Sequence, residues 1–333
     1  MTALAAPTDT DLPRDPGGAG IHVGIDLGGT KIFGALVGAD GSVSDETYLE
    51  HGREVTTPPP NFTAKEAALG SAYAHLQKLA AGLCARARAT GRRPLGIGIG
   101  APGIVGAGGL VISSGALAWK NAPLGALLEN RLGLPVRVEN DVNLAALGEH
   151  AVGAGRGKAS LFLIAIGTGI GGGCILDGRL WRGNHFAAAE IGALLPGPEF
   201  LGWSDRDWGA FEAYASGTGI ESEARKAAQQ AGLMLPEEVL RGERLFAAAA
   251  EGAPWATIAI DRAVALWTVA VGAVQALIDP EVIVLSGGVS ASAARYLPRL
   301  RDHLSRALPQ APKVVLSTLG YRAAVLGAPA LFR

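Results

Sequence analysis

Two glycine runs constrain this chain more than any other feature. Gly28-Gly29-Thr30-Lys31 and Gly167-Thr168-Gly169-Ile170-Gly171-Gly172-Gly173 each interrupt an apolar, β-rich stretch that then resumes. Residues 21–27 and 32–37 flank the first run, and residues 160–166 and 174–176 flank the second. A strand, a glycine turn and a strand read as a hairpin. The pattern occurs twice, each time ahead of helical and further strand-like segments. This predicts two α/β lobes of related build with a cleft between them. Sites in such sheets fall at strand ends and between lobes.

The remaining segments fill in this frame. Residues 42–50 read as a third strand, 56–60 as a proline loop and 64–90 as a helix. A strand follows at 95–100, a short one at 136–138 and a helix at 143–150. Residues 254–278 read as a long, largely buried helix, 281–285 as a strand, 313–317 as the last strand and 323–331 as the last helix. The expected organisation is a loose tail over 1–20, an N-terminal lobe over 21–138 and a C-terminal lobe over 139–321. The C-terminal helix at 322–333 is a candidate to return to the first lobe. A length of 333 residues suits two domains of roughly 150 residues each.

Composition removes several function classes. Lys and Arg total 29 against 30 Asp and Glu, a net charge of −1, so the basic excess of an electrostatic nucleic-acid binder is missing. The two cysteines, Cys84 and Cys174, make no disulfide framework and no Cys-x-x-Cys zinc pair, which suits a reducing cytoplasm. Residues 95–119 and 159–176 are uncharged and long enough to span a membrane. Their glycines, Pro102 and serines instead favour buried strands joined by turns, and no membrane association is expected. The first twenty residues lack the basic-then-apolar pattern of a signal peptide.

Four constellations carry chemistry. Glycine lets backbone N–H groups approach a phosphate that a Cβ would hold off. In the first run Thr30 and Lys31 add a hydroxyl and a charge, and Asp26 is placed to orient a hydrated Mg2+. A plain hairpin with an exposed lysine is the competing reading, and the run is neither Gly-x-Gly-x-x-Gly nor a P-loop. The second run offers the same chemistry on the other lobe. Ser286-Gly287-Gly288-Val289 lets a flat ring lie against backbone ahead of a helix N-terminus, although a bare strand-to-helix turn reads equally well. Asn140-Asp141 puts a carboxylate at a strand end, where it can take a proton from an attacking hydroxyl. Asp141 as a helix N-cap is the competing reading.

Taken in order, Asp26 to Lys31, Ala101-Pro102-Gly103, Glu139-Asn140-Asp141 with Ala145-Ala146-Leu147-Gly148-Glu149, Gly167 to Gly173, Glu190-Ile191-Gly192, Glu212-x-x-Ala215-Ser216-Gly217, Ser286-Gly287-Gly288-Val289 and Ala324-Val325-Leu326-Gly327-Ala328 give the chain a resemblance to ROK-family sugar kinases. The resemblance runs from about Ile21 to the C-terminus. It implies a two-lobed α/β actin-like ATPase (ribonuclease H-like) fold, with the active site in the interlobe cleft. It implies an enzyme that phosphorylates a hexose or hexose derivative with ATP and Mg2+. By the same resemblance Asp26, Gly28, Gly29, Thr30 and Lys31 form the first phosphate motif, with Asp26 toward Mg2+ through water. Gly167, Thr168 and Gly169 form the second, and Gly287 and Gly288 the adenosine motif. Asp141 is the implied base, Asn140, Glu190 and Glu212 the implied sugar-hydroxyl ligands, and Gly103 a backbone contact to the sugar. A cytoplasmic homodimer or homotetramer with a small-molecule sugar as its partner is the implied setting.

One departure stands out. The family usually reads Glu-x-Gly-His, the histidine touching the sugar and ligating a structural zinc, followed by a Cys-x-Cys-Gly-x-x-Gly-Cys run. Here Ala193 stands in the histidine's place, and residues 194–211 hold Phe200, Trp203, Asp205-Arg206-Asp207 and Trp208 but no cysteine. Zinc is therefore not expected. The tryptophans are expected to pack that loop, with stacking on a sugar face as the alternative. Loss of a polar contact leaves the sugar's identity open, and His185 is a candidate to compensate. A sugar-responsive repressor would need a helix-turn-helix ahead of the first strand, where about twenty residues are too few. A degenerate sugar binder is opposed by the intact Asp26, Asp141 and both glycine turns. A polyphosphate donor would call for a basic track, and Arg92-Arg93 and Arg156-x-Lys158 are the local basic clusters; ATP is the expected donor.

Overall fold

The computed structural model describes residues 20–51, 59, 61–204 and 209–333. The expected N-terminal tail, most of the 56–60 loop, the Asp205-Arg206-Asp207 triplet and Trp208 lie outside the described residues. The chain divides into two compact units: one up to Glu139 together with Ala328–Arg333, the other Asn140–Gly327.

The first unit opens with β1 (Gly20–Leu27), β2 (Lys31–Val37), β3 (Val43–Glu50) and β4 (Arg93–Ala101). A three-stranded sheet follows, β5 (Ile104–Gly106), β6 (Leu110–Ser114) and β7 (Trp119–Ala122), and then β8 (Val136–Asn140). The main sheet runs β3-β2-β1-β4-β8. β1 is antiparallel to β2 and parallel to β4. Ile21, Val23, Ile25 and Leu27 are all buried in β1, the two-residue repeat of a strand with one face in a core.

The helix expected over 64–90 is two helices, α1 (Ala64–Ala67) and α2 (Gly70–Ala89). Gly70 takes φ +67° between them. Thr63 and Glu66 make a reciprocal capping box at the start of α1. α2 buries Tyr73, Leu76, Leu79, Ala80, Leu83 and Ala87 along one stripe, the spacing of a helix laid on a sheet. From α3 (Leu124–Leu132), Arg131 donates to both Glu66 oxygens, Nε to Oε1 at 2.9 Å and Nη2 to Oε2 at 2.7 Å. Tyr73 Oη donates to Glu66 Oε1 at 2.8 Å.

The second unit contains α4 (Asp141–Val152), β9 (Leu161–Ile166), β10 (Ile170–Leu176), β11 (Arg179–Leu180), α5 (Ala210–Ala215), α6 (Gly217–Gln230), α7 (Gly242–Ala250), α8 (Pro254–Ile278), β12 (Ile283–Ser286), α9 (Gly288–Ala293), α10 (Leu297–Ala307), β13 (Val314–Leu316) and α11 (Ala323–Gly327). Its sheet, β11-β10-β9-β12-β13, repeats the first in connectivity. β9 is antiparallel to β10 and parallel to β12. α8 is long and apolar enough to cross a membrane by length and composition. Here it forms the spine of the second core, burying Trp255, Ile260, Val264, Trp267 and Val271, and Trp267 Nε1 donates to Ala215 O at 2.9 Å. α11 belongs to this unit, and the chain rejoins the first unit at Ala328.

The second glycine run is not one long turn. The strand resumes at Ile170 rather than Cys174, so the turn is Gly167-Thr168-Gly169. Gly171 and Gly173 lie in β10 beneath α4. A Cβ on either would come within 2.7 Å of the Val142 or Ala146 side chain. Their role is to let α4 settle directly on the strand, and this sets where the first turn of α4 sits.

Candidate active site

β8 ends at Asn140 and α4 begins at Asp141. Asn140 Oδ1 accepts from the backbone N–H of Val142 and of Asn143, both at 2.9 Å, so Asn140 is the N-cap. Asp141, the first helical residue, accepts from Val142 N at 2.9 Å through Oδ1. Burial pushes the Asp141 carboxyl above the usual range, against the lowering effect of its backbone hydrogen bonds.

Two glutamates join it. Glu190 follows Ala189, which sits at φ +65°, a conformation that costs a non-glycine residue about 1–3 kcal/mol. The Ala189 carbonyl lies over Gly172, where a Cβ would collide with it. Glu212, on α5, accepts from Ile170 N at 2.5 Å, and its carboxylate rests against Gly169 where a Cβ would stand. Glu190 keeps an exposed surface, yet its pKa is pushed up to about 7 by burial first, then by the charges of Asp141 and Glu212. Burial also raises Glu212, opposed by its bond to Ile170. Among the described residues none of the three is ion-paired. The protein thus gathers three carboxyl groups whose ionised forms lack a cation and call for hydrogen-bond donors.

The other side of the same turn faces a pocket. Gly167 and Thr168 line an open cavity of about 410 Å³ with Gly217, Thr218 and Glu221 of α6, Phe246 of α7 and Gly288 of α9. Gly217 N donates to Gly167 O at 2.8 Å, tying the start of α6 to the turn. Gly288 faces open space, whereas Gly287, at φ +89°, has the Ile166 backbone where a Cβ would be, so only glycine fits there. The structure therefore brings Gly167, Thr168 and Gly288 to one cavity, turns Gly169 toward Glu212 and uses Gly287 to support the strand end. Glu221 and Phe246 escaped the sequence reading, because no short motif marks either.

The remaining candidates belong to the first unit. Asp26 is half-buried in β1, level with Phe33 of β2 and Gly100 of β4. Gly28 N donates to Lys31 O at 2.8 Å, and the buried His51 braces the turn, its Nε2 lying 2.9 Å from Gly28 O and its backbone N–H donating to Thr30 O at 2.9 Å. Gly29 packs near Ala116, while Thr30 and Lys31 are exposed and Lys31 Nζ lies 3.7 Å from Glu50. Gly103 takes φ +99°, with the Ser113 carbonyl where a Cβ would point.

Ala193 ends a short 3-10 turn and is exposed. Beyond it Phe200 and Trp203 pack edge-on against Tyr214, centroids 5.4 and 5.8 Å apart. They also line an open cavity of about 510 Å³ with Glu199 and Arg262. His185 is exposed, its Nε2 lying 3.2 Å from the Asn184 side-chain amide.

The chain is similar along nearly its whole length to known sugar kinases. The chain is 31% identical over 333 residues to a glucokinase of Streptomyces coelicolor, covering 94% of this chain and 98% of the relative. It is 31% identical over 328 residues to an N-acetyl-D-glucosamine kinase of Vibrio cholerae, covering 92% and 98%. A ROK family glucokinase from Streptomyces griseus, solved with glucose and AMPPNP, superposes with a TM-score of 0.72 at 30% identity over 93% of this chain and 98% of that one. The two α/β units are thus those of the actin-like ATPase fold. With the model of the ROK family matching residues 22–333, the chain belongs to that family.

Proposed function

We propose that this enzyme is an ATP-dependent sugar kinase acting on a hexose or hexose derivative, with Asp141 as the general base. The observation that carries the reading is the two-sided turn of the second unit. One side, through Ile170 and Gly169, holds Glu212 within a group of three carboxyls. The other, through Gly167 and Thr168, opens onto a cavity of about 410 Å³, the size of a small-ligand site.

In this reading Asp141 accepts the proton of the attacking hydroxyl as its oxygen bonds to the γ-phosphorus and the bond to ADP breaks. A carboxyl whose proton affinity is raised by burial is the better base for that step. Glu190 and Glu212 accept hydrogen bonds from neighbouring sugar hydroxyls, which add donors to carboxyls that have only backbone N–H groups or none among the described residues. Asn140 Oδ1 caps the helix, so Asn140 acts on the sugar from the start of α4 as both cap and hydroxyl ligand. Amides of the Gly167–Gly169 turn and the Thr168 hydroxyl receive donor phosphates.

From the first unit, Asp26, Gly28, Gly29, Thr30 and Lys31 are the proposed phosphate contacts, and Gly103 a backbone contact to the sugar. Asp26 is a single hard carboxylate at the end of a strand, a donor set that fits a Mg2+ held mainly by phosphate oxygens and water. Bound there, the ion would neutralise phosphate charge. The small, exposed Ala193 leaves space for a substituted sugar, so N-acetylated hexoses belong among the substrates to try.

A coupled ADP-release assay across hexoses, amino sugars and N-acetylated sugars, with a no-sugar control, tests the proposal. One sugar should give turnover well above the control. Asp141→Asn should then lower kcat by about 10²–10⁴-fold while sugar binding, read by calorimetry, persists. Near wild-type turnover in Asp141→Asn would remove Asp141 from the role of base.

A further inference from the structure

The cavity beside Gly167 and Thr168 is also lined by groups whose chemistry differs from a phosphate cradle. They are the buried Phe246, the half-buried Val289 and the open face of Gly288, with the side chains of Glu221 and Arg241. The cavity's charged lining is one guanidinium, Arg241, against two carboxylates, Glu221 and Glu243. That balance repels a bare polyanion and suits a neutral group with an apolar face and hydroxyl donors.

Glu221 is the side chain best placed to read such a group. It lies one turn beyond Gly217 and Thr218 on the same face of α6, and all three line the cavity. Its carboxylate is 28% exposed and meets Arg241 Nε at 3.8 Å, too far for a hydrogen bond. Arg241 is turned instead toward Glu237, at 3.2 Å, and Glu237 is also held by Arg225 at 2.7 Å. Arg241 is therefore held at the cavity wall by Glu237 rather than hydrogen-bonded to Glu221, and the Glu221 carboxylate keeps acceptor capacity. A carboxylate can accept from two adjacent hydroxyls at once, which is the arrangement a ribose presents.

Resting on the reading that donor phosphates sit at Gly167–Gly169, we propose that Glu221 recognises the ribose hydroxyls of the phosphoryl donor. Glu221 thereby makes the enzyme select a nucleotide over inorganic polyphosphate. Phe246 and Gly288 give the base its flat, apolar seat.

The test is calorimetric binding to the full chain, independent of turnover, with ADP, 2′-deoxy-ADP, 3′-deoxy-ADP and inorganic tripolyphosphate as probes. The wild type should bind ADP about tenfold or more tighter than at least one deoxy analogue, the worth of a hydrogen bond to a charged group, and tighter than tripolyphosphate. Glu221→Gln should narrow that gap and Glu221→Ala should abolish it, leaving deoxy-ADP binding unchanged. ADP binding with no preference over either deoxy analogue in the wild type would overturn the role of Glu221 and leave the nucleotide reading standing. Tripolyphosphate binding with no ADP binding would overturn both. An ADP preference that persists in Glu221→Ala would also overturn the role of Glu221, and the wild-type series can overturn it even if neither variant folds.

Discussion

Glu66 and Glu190 are the same side chain in opposite electrostatic settings, one in each unit. Glu66 is buried, and the Arg131 guanidinium holds its carboxyl down at about 2, with Thr63 and Tyr73 completing its hydrogen bonds. Glu190 has no cation partner among the described residues, and burial with two neighbouring carboxylates pushes it up to about 7. The first arrangement satisfies every acceptor and locks α1 to α3. The second leaves acceptors waiting for hydroxyl donors from elsewhere. Carboxylates held charged by a cation are structural, whereas carboxylates crowded without one mark a site.

That contrast can be broken most forcefully on the structural side. Arg131→Ala strands Glu66 in a buried position, and a drop of several degrees in Tm is expected, the largest stability effect foreseen here. Its pH dependence has a defined sign. Glu66 has a folded pKa of about 2, below its ordinary 4.5, so its stabilisation is complete above about pH 4.5 and is lost as pH falls toward 2. Thermal melts from pH 7 to pH 2 should show that acid limb in the wild type and a flatter profile in Arg131→Ala. Parallel profiles would mean that Arg131 is not what holds Glu66 down.

The functional side is sharpened by two alanines in one turn. On Gly169 a Cβ would meet the Glu212 carboxylate, and on Gly167 it would meet nothing within 4 Å. Gly169→Ala should break the Glu212 bond to Ile170 and weaken sugar binding about tenfold. Gly167→Ala should leave sugar binding intact and raise the KM for the phosphoryl donor by a smaller factor. Equal effects of the two on sugar affinity would contradict the two-sided turn.

Much of this was legible before the structure. Both hairpins, the repeated lobes and the strand-end position of Asp141 follow from local patterns of apolar residues and glycine. The extent of the second turn did not, since glycine serves a tight turn and a close helix-on-strand contact equally, and Gly171 and Gly173 serve the latter. Asn140 rather than Asp141 proved to be the cap, a choice between adjacent capping residues that propensity does not decide. The Glu66–Arg131 pair and the Glu221–Phe246 lining of the cavity join residues distant in sequence, where no motif signals a meeting. Arg92 and Lys158, two members of the basic clusters, prove to be paired with Asp45 and Glu281 within their own units.

The central claim is that Asp141, Glu190 and Glu212 share one field. If so, Glu190 keeps a proton in the folded, ligand-free protein from its ordinary 4.5 up to about 7, and the stability it contributes is lost as pH rises through that window. Carboxyl-carbon NMR of Glu190 across pH 3–9 reads this directly. The account predicts a midpoint near 7 that moves down in Asp141→Asn; a midpoint near 4.5, unmoved by that substitution, would contradict it.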